Sequence, residues 1–457
     1  MTHLARQLRL IDYFALGFGT MVGTGWLVVM DNILHRGGPL GAILGFTAGA
    51  LMLLPIGHVY GRLVKRIPDA AGEVAYTAKV FPSVISFVTG WMMFLAYLLT
   101  CPFEALAAGR FAGYLFPALN TIELYRLGGY TVYLPHVVLG LAISIFFTWL
   151  NFYGIQASTK FLKFTTFTFL TLVIVFALAG LQHGKVQNFQ PVFSHTPLLS
   201  ILLVWQVVPW LMSGFESVVK SSEEASPDFQ HGNFSMAILM TIFAGAIFYW
   251  IVILSVAYVV PWPGLNSSLP FPTALAVENA FHARWIVNLM LGTALVALLQ
   301  AFNANMVAAS RLLFAMGRRN LLLPSMSRIH PTNRTPALAV FAVGGATMGA
   351  IFLGEAGLVP ILEVGAVACA VGWMAACASY LLMKPSRLDR MAAAFGILVT
   401  LAMVLVKVLP LVPGHFTRYE WIALAIWAGL GLVARIPTRA GPARATAAVP
   451  RPQGSLR

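Results

Sequence analysis

Charge is what this sequence has least of. Asp, Glu, Lys and Arg make up 10% of its 457 residues, where a soluble globular protein carries roughly 25%. So few ionic side chains cannot clothe a water-facing surface, and with 59% hydrophobic residues and a mean hydropathy of +0.81 a soluble enzyme is excluded. Cysteine is scarce too. Cys101, Cys369 and Cys377 each lie in an apolar stretch, where a small thiol packs as a weak hydrophobe, and neither a disulfide framework nor a zinc spacing is present. No Walker cradle, hydrolytic triad or metal-site pattern occurs, so neither a resident cofactor nor an ATP-driven cycle is expected. No cleavable signal peptide is expected either, because residues 1–10 lead straight into a long apolar stretch.

What is present is a succession of apolar runs of about 20 residues, the length needed to cross a bilayer as a helix. Runs such as Leu170 to Gly180 do not alternate as the strands of a membrane barrel would. The expected fold is therefore an all-α polytopic membrane protein of about twelve spans, at 11–34, 38–61, 84–116, 133–150, 160–182, 199–220, 233–260, 286–317, 337–354, 358–383, 391–410 and 418–435. The third and eighth exceed the necessary length and should tilt or project. Between spans, residues 67–73 should break the chain before a short amphipathic stretch, and 263–283 should form a loop on the opposite side.

Net charge follows the same layout. Carboxylates number 15 against 29 basic residues, a formal charge of +14, but the basic residues fall overwhelmingly in the loops on the side of the N-terminus. Only Arg36, Arg126, Lys185, Arg284 and Arg418 fall in the opposite loops. This satisfies the positive-inside rule if both termini are cytoplasmic and the protein lies in the cytoplasmic membrane. The partner implied is the lipid bilayer, not nucleic acid. Residues 436–457, built of Pro, Ala, Gly and Arg, lack the apolar content for a core and read as a disordered basic tail.

Two spans carry residues that a helix interior disfavours. The first contains Gly17-Phe-Gly-Thr-Met-Val-Gly-Thr-Gly25, and each glycine costs a helix about 1 kcal/mol relative to alanine. Close packing through Gly19 and Gly23 is one explanation. The sixth places Pro209-Trp-Leu-Met-Ser-Gly-Phe-Glu216 inside an apolar run. If 11–182 and 199–383 are inverted five-helix repeats, with 391–435 as two peripheral helices, both interruptions fall in the first helix of a repeat, the best pointer in sequence to a transporter's central site. Unwinding near Gly23-Thr-Gly25 would free backbone N–H groups at a positive dipole end, which suit a carboxylate. Freed carbonyls there and around Trp210 to Ser213 would suit an ammonium.

These residues resemble the amino acid–polyamine–organocation transporter family, over roughly residues 8 to 435. Gly19-Thr-Met-Val-Gly-Thr-Gly25 is similar to the family's first-helix break, and Gly214-Phe-Glu216 followed by Glu223-Glu224-x-x-Pro227 to its sixth-helix pattern. Ser310 to Pro324 through Pro336, and Pro68-x-x-x-Gly72-x-x-x-Tyr76, resemble the loops after helices eight and two. The resemblance implies a LeuT-like fold with helices 1 and 6 broken, and alternating access. It places Gly23, Thr24 and Gly25 at a substrate carboxylate and the carbonyls of Met21, Trp210 and Ser213, beside Gly214, at an amine. It also makes Trp210 an aromatic cover and links Glu216 to pH response or coupling. Several relatives set a lysine midway along helix five in place of a sodium ion, and an ungapped alignment from Gly154 puts Phe169 there.

Glu104, Arg110, Glu216, Glu363 and Lys407 fall in or at the edge of spans, where a central charge costs about 2.5–3.5 kcal/mol on insertion scales. Glu104 and Arg110 are about 600° apart around a helix and do not face each other. Glu104 and Glu216 are candidates for taking up a coupling proton. Lys407 should snorkel, and Glu363 reads as structural. Asn303 and Asn305 could touch a substrate or bridge helices, His58 and Tyr60 read as structural, and Glu223 and Glu224 should lie in a solvated loop, where they could contact Arg or Lys of neighbouring loops. The function expected is a secondary transporter of a small molecule with an amine and a carboxylate, an amino acid or related amine, coupled to protons. An exchanger or sodium symporter is the alternative within that class, and a substrate-sensing receptor the alternative outside it.

Overall fold

The computed structural model describes residues 4–127, 130–230, 232–265, 272–282, 284–412 and 415–439. The chain enters through α1 (Leu10–Met21), whose first turn is tied by Asp12, its carboxylate accepting the Arg9 N–H at 2.8 Å. After an unwound stretch come one short turn, α2 (Gly25–Val28), and the long α3 (Met30–Arg66). α3 is two helices in series, separated at Gly38, whose φ of +66° favours glycine, with Pro39 next in sequence. The boundary expected between the first two spans falls there. α4 (Glu73–Val80) is the short stretch expected after residues 67–73, and α5 (Ser83–Leu115) is the long third helix.

One element was not expected. Strands β1 (Glu123–Leu127) and β2 (Tyr130–Tyr133) pair antiparallel, and the Tyr125 hydroxyl donates to the Phe352 carbonyl at 2.5 Å. Four and five residues are too few for alternation to register as a pattern.

α6 (Leu134–Tyr153) turns directly into α7 (Ile155–Gly180) through Gly154, at a φ of +144°. The next span is broken into α8 (Pro197–Trp205), α9 (Val208–Leu211) and α10 (Ser217–Lys220). Beyond it lie α11 (Gly232–Val259), α12 (Pro272–Phe281) and α13 (Arg284–Arg318). α12 is a helix inside the stretch 263–283 expected as loop, of which 266–271 and 283 fall outside the described residues. The bundle closes with α14 (Ala337–Ile351), α15 (Gly354–Leu382), α16 (Arg387–Val408) and α17 (Arg418–Arg439). α17 passes the expected start of the tail at 436, and residues 440–457 lie outside the described residues.

Among the described residues, eight helices are long and apolar enough to cross a membrane. The chain is an all-α polytopic membrane protein. In the best apolar window 72% of α15 is buried but only 33% of α6, α7 and α16, which makes α15 an inner helix and the other three an outer layer. Outward-facing Phe164, Leu178, Leu398 and Ile426 form apolar surface that lipid, not water, can cover.

Candidate functional site

The two interrupted helices meet. Gly214, at a φ of +128°, presses so closely on the other break that a Cβ built there would lie 2.6 Å from the Met21 nitrogen. Only glycine allows that approach. Around this crossing lies a cavity of about 50 Å³, lined from the first break by Thr20, Met21, Gly23 and Gly25 and from the second by Trp210, Leu211, Ser213, Gly214 and Glu216. α5 contributes Tyr97, Thr100, Phe103 and Glu104, α11 Tyr249, α13 Asn305, and α15 Cys369.

Two carboxylates answer the amides freed by the breaks. Glu104 accepts the Thr24 N–H at 3.0 Å through Oε1 and the Thr24 hydroxyl at 2.9 Å through Oε2. Glu216 accepts the Gly214 N–H at 3.0 Å through Oε2, and the Tyr97 hydroxyl donates to its Oε1 at 3.4 Å. Both glutamates are buried. Free carbonyls are likewise partly claimed: Gln300 donates to Val22 at 2.9 Å, Tyr249 to Leu211 at 3.1 Å, Ser213 to Trp210 at 3.1 Å and Asn305 to Thr20 at 3.3 Å. Trp210 lies edge-on to Phe103, with 6.2 Å between centroids, and a Cβ on Gly25 would sit 3.4 Å from its Cη2. The indole therefore spans from the first break to α5.

Of the residues singled out in the sequence, the cavity gathers Met21, Gly23, Gly25, Trp210, Ser213, Gly214, Asn305, Glu104 and Glu216. Thr24 is buried beside it with its hydroxyl turned to Glu104. Asn303 faces elsewhere. It accepts from Asn151 and Ser158, both at 2.9 Å, and donates to the Ser158 carbonyl at 3.0 Å, so it ties α13 to α6 and α7. Phe169 is buried against Trp26, with 6.5 Å between ring centroids, an apolar contact at the position compared with a lysine.

Two charged residues depart from expectation. Lys407 is buried and donates to Glu363 at 2.6 Å instead of snorkelling. Glu224 is not in a solvated loop: it is buried and takes two hydrogen bonds from Arg311, at 3.1 and 3.2 Å. Glu223, by contrast, is only half-buried and meets the basic Arg318 at 2.8 Å, as expected. A buried pair of Glu73 and Lys220, with the Tyr60 hydroxyl 2.6 Å from Glu73, went unnoticed in the sequence. So did Tyr97, although it stands seven residues before Glu104 and so shares its helix face.

Apolar helices enclosing two unwound segments, with buried polar groups around their crossing, define a polytopic membrane transporter. Residues 8–433 match the family described as amino acid permease, and the chain belongs to that family, within the amino acid–polyamine–organocation group. It is similar to the methylthioribose transporter of Bacillus subtilis (strain 168), 24% identical over 375 residues that cover 80% of this chain and 79% of the relative. The branched-chain amino acid permease BcaP of the same organism is 24% identical over 79% of this chain and 76% of its own length. Its aspartate-proton symporter is 23% identical over 74% of this chain and 65% of its own length. These relatives are transporters, not enzymes.

Proposed function

We propose that this permease is a secondary active transporter of an amino acid or closely related amine, working by alternating access and coupled to protons. It would sit in the cytoplasmic membrane with both termini cytoplasmic and about twelve spans, 11–182 and 199–383 forming the inverted repeats and 391–435 the peripheral pair. A gradient would drive it without a cofactor. The observation that carries the reading is the crossing of two broken helices at Gly214 and Met21 over a buried cavity. Relatives named as a branched-chain amino acid permease and an aspartate-proton symporter support the substrate class and the ion.

In this reading amides and carbonyls at Met21, Gly23, Thr24, Gly25, Trp210, Ser213 and Gly214 surround the substrate, with Asn305 at the cavity wall. Glu216 and Glu104 are the groups that could carry the proton, because each is buried and each accepts hydrogen bonds from a break. A carboxylate in such a setting changes its partners when it is neutralised. Alternation of the two breaks would then follow proton occupancy.

Uptake of a labelled pool of amino acids and amines into proteoliposomes tests this. An inward proton gradient should drive saturable accumulation, and Glu216→Gln should abolish its pH dependence. Accumulation driven by sodium, or by preloaded substrate alone, would assign a sodium symporter or an exchanger instead. Saturable binding without uptake under any gradient would assign a receptor. Gly25→Leu, which must push into Trp210 and Leu211, should eliminate uptake; intact transport in that variant would place the site elsewhere.

A further inference from the structure

The amides of the first break suit a substrate carboxylate, yet a carboxylate of the protein already holds one of them. Glu104 takes both the backbone N–H and the hydroxyl of Thr24, at 3.0 and 2.9 Å. Its position is built in, because a side chain on Gly23 would collide with Glu104 Oε1. The space that glycine opens at residue 23 admits the glutamate, not a ligand. At the second break the Gly214 N–H is likewise given to Glu216, at 3.0 Å.

The cavity wall agrees with this. Glu104 and Glu216 both line it, and among the described residues no Lys, Arg or His does. The aromatic side chains of Trp210, Tyr97 and Phe103 line it as well, and aromatic rings are compatible with a cation. An amino acid brought to this site would set its own carboxylate beside that of Glu104, in competition for the same donors and with no cation to offset the repulsion. An amine without a carboxylate meets no such opposition. A repulsive group of this kind is how a site rejects one member of a pair of otherwise similar ligands.

We propose that the substrate is an organic amine lacking a carboxylate, and that Glu104 supplies from the protein the group an amino acid would bring with it. The proposal rests on the transporter reading above and narrows its substrate. Glu104 holds the first break through Thr24 and presents its carboxylate to the incoming ammonium, which favours the ionised form when it arrives. The amine side of the site, the carbonyls of Met21 and Trp210, is used as in an amino acid carrier.

Matched pairs test it on the purified full-length protein: tyramine with tyrosine, cadaverine with lysine, and 3-methylbutylamine with leucine. Binding is read by ligand-dependent thermal stabilisation, transport by uptake into proteoliposomes. At least one amine should bind about tenfold or more tighter than its parent amino acid, a ratio that corresponds to about 1.4 kcal/mol. Glu104→Gln, which keeps an acceptor for Thr24 but removes the charge, should weaken the amine. Glu104→Ala, which vacates the Thr24 donors, should shift the ratio toward the amino acid. Parent amino acids bound as tightly as their amines by the unaltered protein would overturn the proposal and leave the transporter reading standing. If folded protein binds or carries neither member of any pair, both fail. Should Glu104→Ala not fold, the ratio in the unaltered protein decides alone.

Discussion

Asn303 and Asn305 show how far single residues can be read before a structure. Both are amides on the eighth span, two positions apart, and the sequence does not separate them. α13 rotates about 100° per residue, so their side chains leave the helix in different directions: Asn305 reaches the cavity and Thr20, Asn303 reaches Asn151 and Ser158. Asn303→Ala leaves buried partners unsatisfied, at about 1–3 kcal/mol. It should lower the melting temperature in detergent while leaving the selectivity among bound substrates unchanged. Asn305→Ala should alter substrate affinity as well. Glu104 was legible as a buried acid that Arg110 could not face. That its partner is Thr24 was not, since a spacing along one helix says nothing about which other helix comes near. Gly214→Ala should abolish binding, because alanine strains at a φ of +128° and its Cβ meets the Met21 backbone; ligand-dependent stabilisation measures it.

At the scale of elements the sequence was most informative where apolar length decides the outcome. Each apolar run expected to span is helical, and the interruptions fall at Gly23 and around Ser213, where glycine and proline collect. What stayed hidden depends on partners far along the chain: the short strands before α6, the helix α12 in a supposed loop, and the ion pairs after α10. Glu224 reads as solvated because two acids follow one another past the end of a span, but Arg311 of α13 encloses it. Removing one member of a buried pair costs about 3–5 kcal/mol, whereas replacing both by apolar residues can be neutral. Arg311→Leu should therefore destabilise the protein strongly, and Arg311→Leu with Glu224→Leu should recover much of the loss, as read by thermal unfolding in detergent.

On the scale of the whole molecule, one end of the bundle is held together by several independent ties between distant parts of the chain. Gln7 and Leu8 donate backbone N–H groups to the Glu224 carbonyl at 2.8 and 2.9 Å, and Ser226 donates to Leu8 at 3.0 Å. Tyr13 donates to the Ser221 carbonyl at 2.8 Å, Lys163 pairs with Asp12 at 2.8 Å, and Arg319 with Asp69 at 2.6 Å. Two of these ties use basic residues, Lys163 and Arg319, and together the set would close the path from this side in the transporter reading. Leu8→Pro, which removes a donor, should open it. With native cysteines replaced, a cysteine at Thr20 should then react faster with an impermeant thiol reagent applied from that side; an unchanged rate would show that the tie does not limit access.

The Arg6 side chain donates to the Ala225 carbonyl at 3.2 Å across 219 residues of sequence, and this has a consequence for biosynthesis. A ribosome adds about 5–20 residues per second, so the segment before α1 waits on the order of ten seconds or more before its partner exists. Until then the first helices must hold their places in the bilayer with that end unlatched. The seal is a product of late assembly, and a nascent chain halted before residue 225 would have no such seal.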